Sequence, residues 1–446
     1  MATLQYIGAR YVPAFYLNSQ NTPEWESGVA YEPLTIVTYN NNSYTSRKPV
    51  PAEIGNPSAN PEYWAQTGVY NAQIGQLQTD VTALQRDVED LQDAIKWYTP
   101  EMYGAKGDGV TDDTAAFTQM FAEIGNDAAI LCSGRYILTD QIAITQHNLK
   151  ISGGFTRSEF NPTIRFTRTN PQTPDIYITG SGIGFSNLVF QGSGTSNNET
   201  LIEINAVNND GNIDAIFNAC GFFSAYRALM VRGRNVLVMN SILSTLIVGY
   251  DVDTITGLTT EYRGYIVQGC RVHSCNTLLR SVVKLAPSAN KGIAILDNYI
   301  DFTQTVVNAV SGGVEVIGNV VKRYSAGAST TVLLQKNDLD LDYSYINVVA
   351  NNVFEGNQQN ISVRGIETQS APVIVVNNTF NNYGGYGIGC AVAGKLIAKN
   401  NVFNNVTGRC VEAAAPVTGI VKYNTGINSG AFLAAGATVS DNDSIT

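Results

Sequence analysis

Asp338, Asp340 and Asp342 alternate with Leu339 and Leu341. In an extended strand, alternate residues share one face at about 6.6 Å. Three carboxylates spaced in this way suit acid/base work or a cation site. Glycoside cleavage asks for two carboxyls about 5–5.5 Å apart for retention, or roughly 6.5–9.5 Å for inversion. Stacked strands supply the shorter spacing too, at about 4.8 Å. Arg364 and Glu367 follow in the next apolar segment, where they can stand beside the aspartates. A second acidic group, Asp251, Asp253 and Glu261, surrounds YDVDT and TTEYR. The plainer alternatives are a solvated acidic strand edge for the first group and an ordinary polar loop for the second.

Other chemistries find little support. The six cysteines, Cys132, Cys220, Cys270, Cys275, Cys390 and Cys410, form no CxxC pair, and the only histidines are His147 and His273. A zinc site is therefore not expected, and no cofactor is implied. The cysteines lie in apolar segments and read as small buried hydrophobes. A net charge of −10 argues against a nucleic-acid partner. No apolar run is long enough for membrane insertion, and the N-terminal residues lack the basic start and apolar core of a secretory signal. Synthesis in a reducing cytoplasm is the expectation.

The elements that must position these groups divide the 446 residues into three stretches. Residues 1–70 are rich in aromatic residues and proline and read as a small β-rich module. Residues 71–100 hold heptads: Ile74, Leu77, Val81, Leu84, Val88, Leu91 and Ile95 recur at spacings of 3 and 4. Ile or Val stands at every a position and Leu at every d, a narrow seam that asks for another copy of itself. Asp80 and Asp87 fall at g, and Gln78, Gln85 and Gln92 at e. On the a/d rule alone such a coil is two-stranded.

Residues 101–446 repeat. A short apolar strand ends in Asn (once Gly), and another short strand follows. The marked positions are Asn187, Asn218, Asn240, Gly269, Asn298, Asn319, Asn351, Asn377, Asn400 and Asn424, between 21 and 32 residues apart. Such a period without helical pattern marks a solenoid of stacked strands. Asn suits each bend because it tolerates left-handed geometry. The open start of the stack needs a cover. Thr111 is expected to cap a helix running to Phe121, with Asp112 and Asp113 in its first turn. Residues 425–446 hold no obvious plug.

The stretch Tyr103-Gly104-Ala105-Lys106-Gly107-Asp108-Gly109-Val110-Thr111-Asp112-Asp113-Thr114-Ala115-Ala116-Phe117 resembles the opening motif of pectate-lyase-like β-helix proteins. That group includes polygalacturonases and many bacteriophage tailspikes and appendages. The resemblance implies an all-β fold, a right-handed parallel β-helix with three sheets. It implies no activity, since the motif caps the barrel, and Asp108, Asp112 and Asp113 are structural in it. The Gly-His-Gly of polygalacturonases is absent, and no cluster matches the calcium-binding acids and Arg base of pectate lyases.

Trp25, Tyr31, Val37-Thr38-Tyr39, Asn42-Ser43-Tyr44, Pro61 and Trp64 resemble, in that order, a small chitin-binding-type carbohydrate-binding module. Tyr31, Tyr44 and Trp64 would be its sugar-stacking rings. The same rings could equally form the core of a docking domain. Module, coiled coil and capped β-helix together look like a phage tailspike, appendage or fibre. That resemblance implies a homotrimer on a virion, bound to other virion proteins through its N-terminal module and to bacterial surface polysaccharide through the solenoid. Whether it also depolymerises that polysaccharide, or serves as a non-enzymatic fibre or decoration protein, is left open by the residues.

Overall fold

The computed structural model describes residues 13–18, 20–68, 76, 79–87, 97–154, 162–168, 173–195, 198–205, 215–232, 235–252, 264–281, 292–310, 313–322, 330–335, 346–357, 363–369, 372–390, 395–413, 418–434 and 438–445. The chain forms two compact units, Met1–Ile95 and Lys96–Thr446.

The first unit contains a four-stranded sheet of Ala14–Phe15, Thr35–Tyr39, Asn42–Ser46 and Trp64–Gly68. Asn40 and Asn41, both at positive φ, make the tight turn between the middle strands. Its core is Tyr31, Val37, Tyr44, Val50 and Trp64. Of the heptad stretch, residues 79–87 are helical, with Val81 and Leu84 exposed. Ile74, Leu77, Val88, Leu91 and Ile95 lie outside the described residues.

The second unit is a right-handed parallel β-helix. One face is a 14-stranded parallel sheet. The other faces are joined in a 23-stranded sheet, because strands such as Gly221–Arg232, Ile242–Val252 and Arg271–Ser281 run through a bend. Alternation builds the core: one residue in two points inward as Ile, Val, Leu or Phe and meets its counterpart on the next rung. Phe354, Phe380 and Phe403 stack in this way at 5.2 and 5.0 Å between centroids. Each aliphatic side chain so buried contributes roughly 1.5–3 kcal/mol. All six cysteines are free and buried, as their apolar settings suggested.

The asparagine pattern resolves into two neighbouring columns. Asn187, Asn240, Gly269, Asn351, Asn377 and Asn400 hold the left-handed bend, which Asp297, Gly318 and Tyr423 take on other rungs. One residue later runs a buried amide ladder: Asn298, Asn319, Asn352, Asn378, Asn401, Asn424 and Asn442. Each backbone N–H and Nδ2 donates to the next Oδ1 at 2.9–3.1 Å. The single repeat seen in the sequence thus mixed turn formers with ladder members.

The capping helix is Thr114–Glu123, and it starts later than expected. Thr111 belongs to the strand Asp108–Asp112. Asp112 Oδ1 accepts from Thr114 N at 3.0 Å and so supports the first turn, while Asp113 accepts instead from the N–H groups of Lys106 and Gly107. Asp108 accepts from Val110 and Thr111, which holds its carboxyl down at about 2. Ala116, Phe117, Met120 and Phe121 close the first rung. At the other end, Thr425–Ile427, Phe432–Ala434, Thr438–Ser440 and Asp443–Ile445 continue the strands.

Candidate functional site

One outward column of the long sheet gathers the charge. Register runs Tyr177, Glu203, Met230, Asp251, Arg280, Asn308, Leu333, Glu367, Gly389, Glu412 on successive rungs. Each side chain of the column faces away from the core because its neighbours face into it: Ile202 and Ile204 flank Glu203, Tyr250 and Val252 flank Asp251, Ile366 flanks Glu367.

Every carboxylate in the column holds a guanidinium. Glu203 Oε1 lies 2.7 Å from Arg232 Nη1. Asp251 lies between two arginines, with Arg227 Nε at 2.8 Å from Oδ2 and Arg280 Nε donating to Oδ1 at 2.9 Å. Glu367 Oε2 accepts from Arg364 Nη1 at 2.7 Å and from Thr330 Oγ1 at 3.2 Å, and Gln369 donates to Oε1. Glu412 Oε1 accepts from Arg409 at 2.7 Å. The carboxylates of Glu203, Asp251 and Glu367 are buried beneath these partners, whereas the arginines keep an exposed edge.

Electrostatics follow from this clamping. Burial pushes Glu367 up, but hydrogen bonds from Arg364 and Gln369 outweigh it and hold the carboxyl below its ordinary value. The same bonds raise Arg364, as the bond to Asp251 raises Arg280. Arg364 also lies over the Tyr386 ring, 4.9 Å from its centroid. Glu367 is thus an ionised acceptor and not a reserve of protons. The row offers what a hydroxyl-rich polymer needs: fixed acceptors, and guanidinium donors in a charge-assisted fork.

Of the residues singled out in the sequence, Arg364 and Glu367 are brought into direct contact. Asp251 enters the row, without Asp253 and Glu261, which lie outside the described residues. Asp338, Asp340 and Asp342 also lie outside them; they follow the rung Thr330–Gln335, whose Leu333 is in register with Glu367. Arg227, Arg232, Arg280 and Glu203 were missed. Their signal was present: Glu203 to Arg232 and Asp251 to Arg280 are each 29 residues apart, one coil of the repeat.

The N-terminal rings require a correction. Tyr31, Tyr44 and Trp64 retain 4%, 6% and 1% of their surface, and Tyr31 packs edge-on against Trp64 at 5.3 Å. Tyr31 Oη donates to Glu26 O at 3.0 Å and accepts from Glu26 N at 2.8 Å. A small sheet has few large residues with which to fill a core, so these rings go inside and leave no face for a sugar.

A further acidic pair, Asp175 and Glu199, is buried apart from the row. Arg168 Nη1 donates to Asp175 Oδ1 at 3.1 Å, and Ser193 N donates to Glu199 Oε2 at 2.8 Å. The remaining oxygens, Asp175 Oδ2 and Glu199 Oε1, meet no other donor. Burial and the neighbouring Glu199 push Asp175 up to about 8, and burial also raises Glu199. One proton shared between the two carboxyls would satisfy both orphan oxygens.

No protein-family model and no curated protein matches the sequence. Solved structures match in fold. The Agl-KA catalytic domain is 13% identical, with a TM-score of 0.50, over 78% of this chain and 68% of its own. A PL6 alginate lyase solved in complex with a trisaccharide is 14% identical, with a TM-score of 0.50, over 79% of this chain and 86% of its own. Tailspike protein 3 of bacteriophage CBA120 is 14% identical, with a TM-score of 0.45, over 94% of this chain and 77% of its own. At these identities the likeness to the first two structures shows the fold alone.

Proposed function

We propose that this protein is a phage tailspike or appendage that recognises bacterial surface polysaccharide along the long sheet. The observation that carries the reading is the column from Glu203 to Glu412, where four carboxylates, three of them buried, hold arginines with an exposed edge. The acids stand two, four and two rungs apart along the column, and with rungs about 4.8 Å apart such a row suits a long polymer.

The protein works as a homotrimer on the virion in this reading. The heptads bring copies together, and the 14-stranded sheet supplies the surface on which they meet. Its outward register column runs Trp97, Ala129, Lys150, Gly184, Ile216, Leu237, Ile266, Ala294, Glu315, Val348, Ile374, Ile397, Ile420. Trp97 is 51% exposed and stands two residues after the last heptad position. An outward stripe of branched aliphatics this long asks for cover. The N-terminal module, with its aromatic core, attaches the chain to other virion proteins.

The clamped, ionised Glu367 favours binding by the row itself. Cleavage, if the protein depolymerises its receptor, is assigned to Asp338, Asp340 and Asp342, together with Glu367 and Arg364. Incubation with host polysaccharide, followed by mass spectrometry of released oligosaccharides, tests this. Discrete fragments that vanish in Asp340→Ala or Asp342→Ala while binding persists establish a depolymerase. Binding without fragments establishes a non-enzymatic adhesin, and absence of binding overturns the reading.

A further inference from the structure

Ser244, His273 and Asp301 occupy one register column on three consecutive rungs, around the bend from the carboxylate row. The column faces outward, since the residues preceding its members, Leu243, Val272 and Ile300, are core. His273 Nδ1 lies 2.5 Å from Asp301 Oδ1. The Asp301 side chain is 13% exposed and the imidazole 45%. A carboxylate on Nδ1 holds the proton there and leaves the Nε2 lone pair free to accept another. Ser244 is the register partner of His273 on the rung opposite to that of Asp301, about 4.8 Å along the stack. A Ser244 rotamer turned along the column would carry its hydroxyl towards the ring. Ser244 Oγ lies 3.4 Å from Thr245 Oγ1.

The backbone beside these residues is strained. Thr245, Ser274 and Phe302, each directly following a member of the column, have φ of 56°, 52° and 50°. Further down the solenoid the same bend is made by Asn382, Asn405 and Asn428. Asn takes left-handed geometry readily; a β-branched or bulky residue does so at a cost. A bend that could be relaxed by Asn is instead made by Thr and Phe on these rungs. For Phe302 the return is visible: its ring, 48% exposed, meets the imidazole edge-on at 5.1 Å. Strain kept in this way marks side chains placed for use. Beside them, Tyr299 presents a ring 39% exposed, with Arg271 at 5.9 Å and Lys322 at 5.6 Å from its centroid. An exposed ring bordered by cations suits a pyranose with polar substituents.

We propose that Ser244, His273 and Asp301 form an ester-hydrolysing triad that removes O-acyl groups from a polysaccharide resting on Tyr299. The polymer substrate rests on the glycan reading above; the triad does not. Ser244 Oγ forms a bond to the acyl carbon as its proton passes to His273 Nε2. The ester C–O bond then breaks, and that proton goes to the departing sugar oxygen. Water attacks the acyl-serine and gives its proton to His273. The acyl carbon–Oγ bond breaks, Oγ takes the proton back, and the carboxylic acid leaves. Asp301 stays ionised throughout and holds the imidazolium.

The full chain is assayed with 4-nitrophenyl acetate and with a chemically O-acetylated polysaccharide, following released acetate. Both substrates should turn over. Ser244→Ala and His273→Ala should each lose about a thousandfold or more. A fluorophosphonate should label the Ser244 peptide in the wild type and not in His273→Ala. Circular dichroism confirms that the variants fold. No turnover, or turnover unchanged by Ser244→Ala, overturns the triad. Turnover of the small ester alone overturns the polymer assignment and leaves the triad. Polysaccharide binding without any ester turnover overturns the triad and leaves the glycan reading.

Discussion

Asp251 and Arg280 sit opposite one another on consecutive rungs, and Arg280 Nε donates to Asp251 Oδ1 at 2.9 Å. Arg227 approaches the same carboxylate from the preceding rung. One buried acid therefore holds two partly exposed arginines and ties three coils together. Asp251→Ala leaves two guanidinium groups without their counter-charge. Removing one partner of a buried pair typically costs about 3–5 kcal/mol. We expect a loss of that order in urea denaturation, and a much smaller one for Arg409→Ala, whose pair with Glu412 is largely exposed.

The amide ladder separates two roles that the sequence shows as one motif. Asn378 accepts from Asn352 through N and Nδ2 and donates to Asn401 Oδ1 and Val349 O. Asn378→Ala strands several buried groups, each costing about 1–3 kcal/mol. We expect a total loss above about 3 kcal/mol. Its neighbour Asn377 holds the bend, at φ of 57°, and its Nδ2 makes one exposed bond, to Asn351 Oδ1 at 3.2 Å. Asn377→Gly should be nearly neutral, and Asn377→Val should cost about 1–2 kcal/mol. Thermal denaturation of the three variants checks the ordering.

The fold was legible because bends and caps leave marks on composition. Left-handed geometry selects Asn or Gly, and the lid over the first rung carries the long motif from Tyr103 to Phe117. The site was less legible for a physical reason. Its pairs are made across rungs, and coils of 21 to 32 residues hide which positions share a column. Arg364 and Glu367 could be found because they are three residues apart on one strand. Arg227 and Arg280 meet Asp251 only through register, so the one-coil spacing that links them becomes readable only once the length of each coil is known. Tyr31, Tyr44 and Trp64 show the converse: residue type fitted a sugar platform, and the needs of a small core took the rings inside.

The Asp175–Glu199 pair makes stability depend on pH with a definite sign. Asp175 is raised from 3.8 to about 8 in the folded chain. Between those values the unfolded chain has released a proton that the folded chain keeps, so stability falls as pH rises. The slope is at most about 1.4 kcal/mol per pH unit, and it vanishes above pH 8, where both states have lost the proton. Asp175→Asn replaces the shared proton with an amide N–H and should flatten this dependence. Urea midpoints at pH 5, 7 and 9 for wild type and variant measure it. Equal slopes in the two proteins would rule out the shared proton.

The outward stripe of the 14-stranded sheet can be tested because all six native cysteines are buried. Ile374→Cys adds one reactive thiol towards the C-terminal end of the stripe, and Thr379→Cys adds one on the long sheet. With a short bismaleimide, Ile374→Cys should give covalent dimers and trimers, and Thr379→Cys should give monomer. Light scattering should report three times the 48.0 kDa chain for the untreated protein. A trimer whose Ile374→Cys form fails to cross-link would place the contact on another face. A dimer would mean that the heptad rule for β-branched a and Leu d decides the strand number after all.

The carboxylate row makes the last prediction, on polysaccharide binding. Arg364 presents a 42% exposed side chain over the ionised Glu367 and against Tyr386. Its guanidinium edge is the part a polymer would meet. A hydrogen bond from a charged donor is worth about 1.5–3 kcal/mol, so Arg364→Ala should weaken binding by at least about tenfold. The loss acts twice, because Glu367 without Arg364 keeps the burial that raises its carboxyl and loses its first counterweight. Arg364→Lys keeps the charge but not the fork, and should recover only part of the affinity. Affinity electrophoresis in gels containing the host polysaccharide separates these outcomes. Equal retardation of wild type, Arg364→Ala and Arg364→Lys would remove the row from the binding surface and turn attention to the face that carries Tyr299.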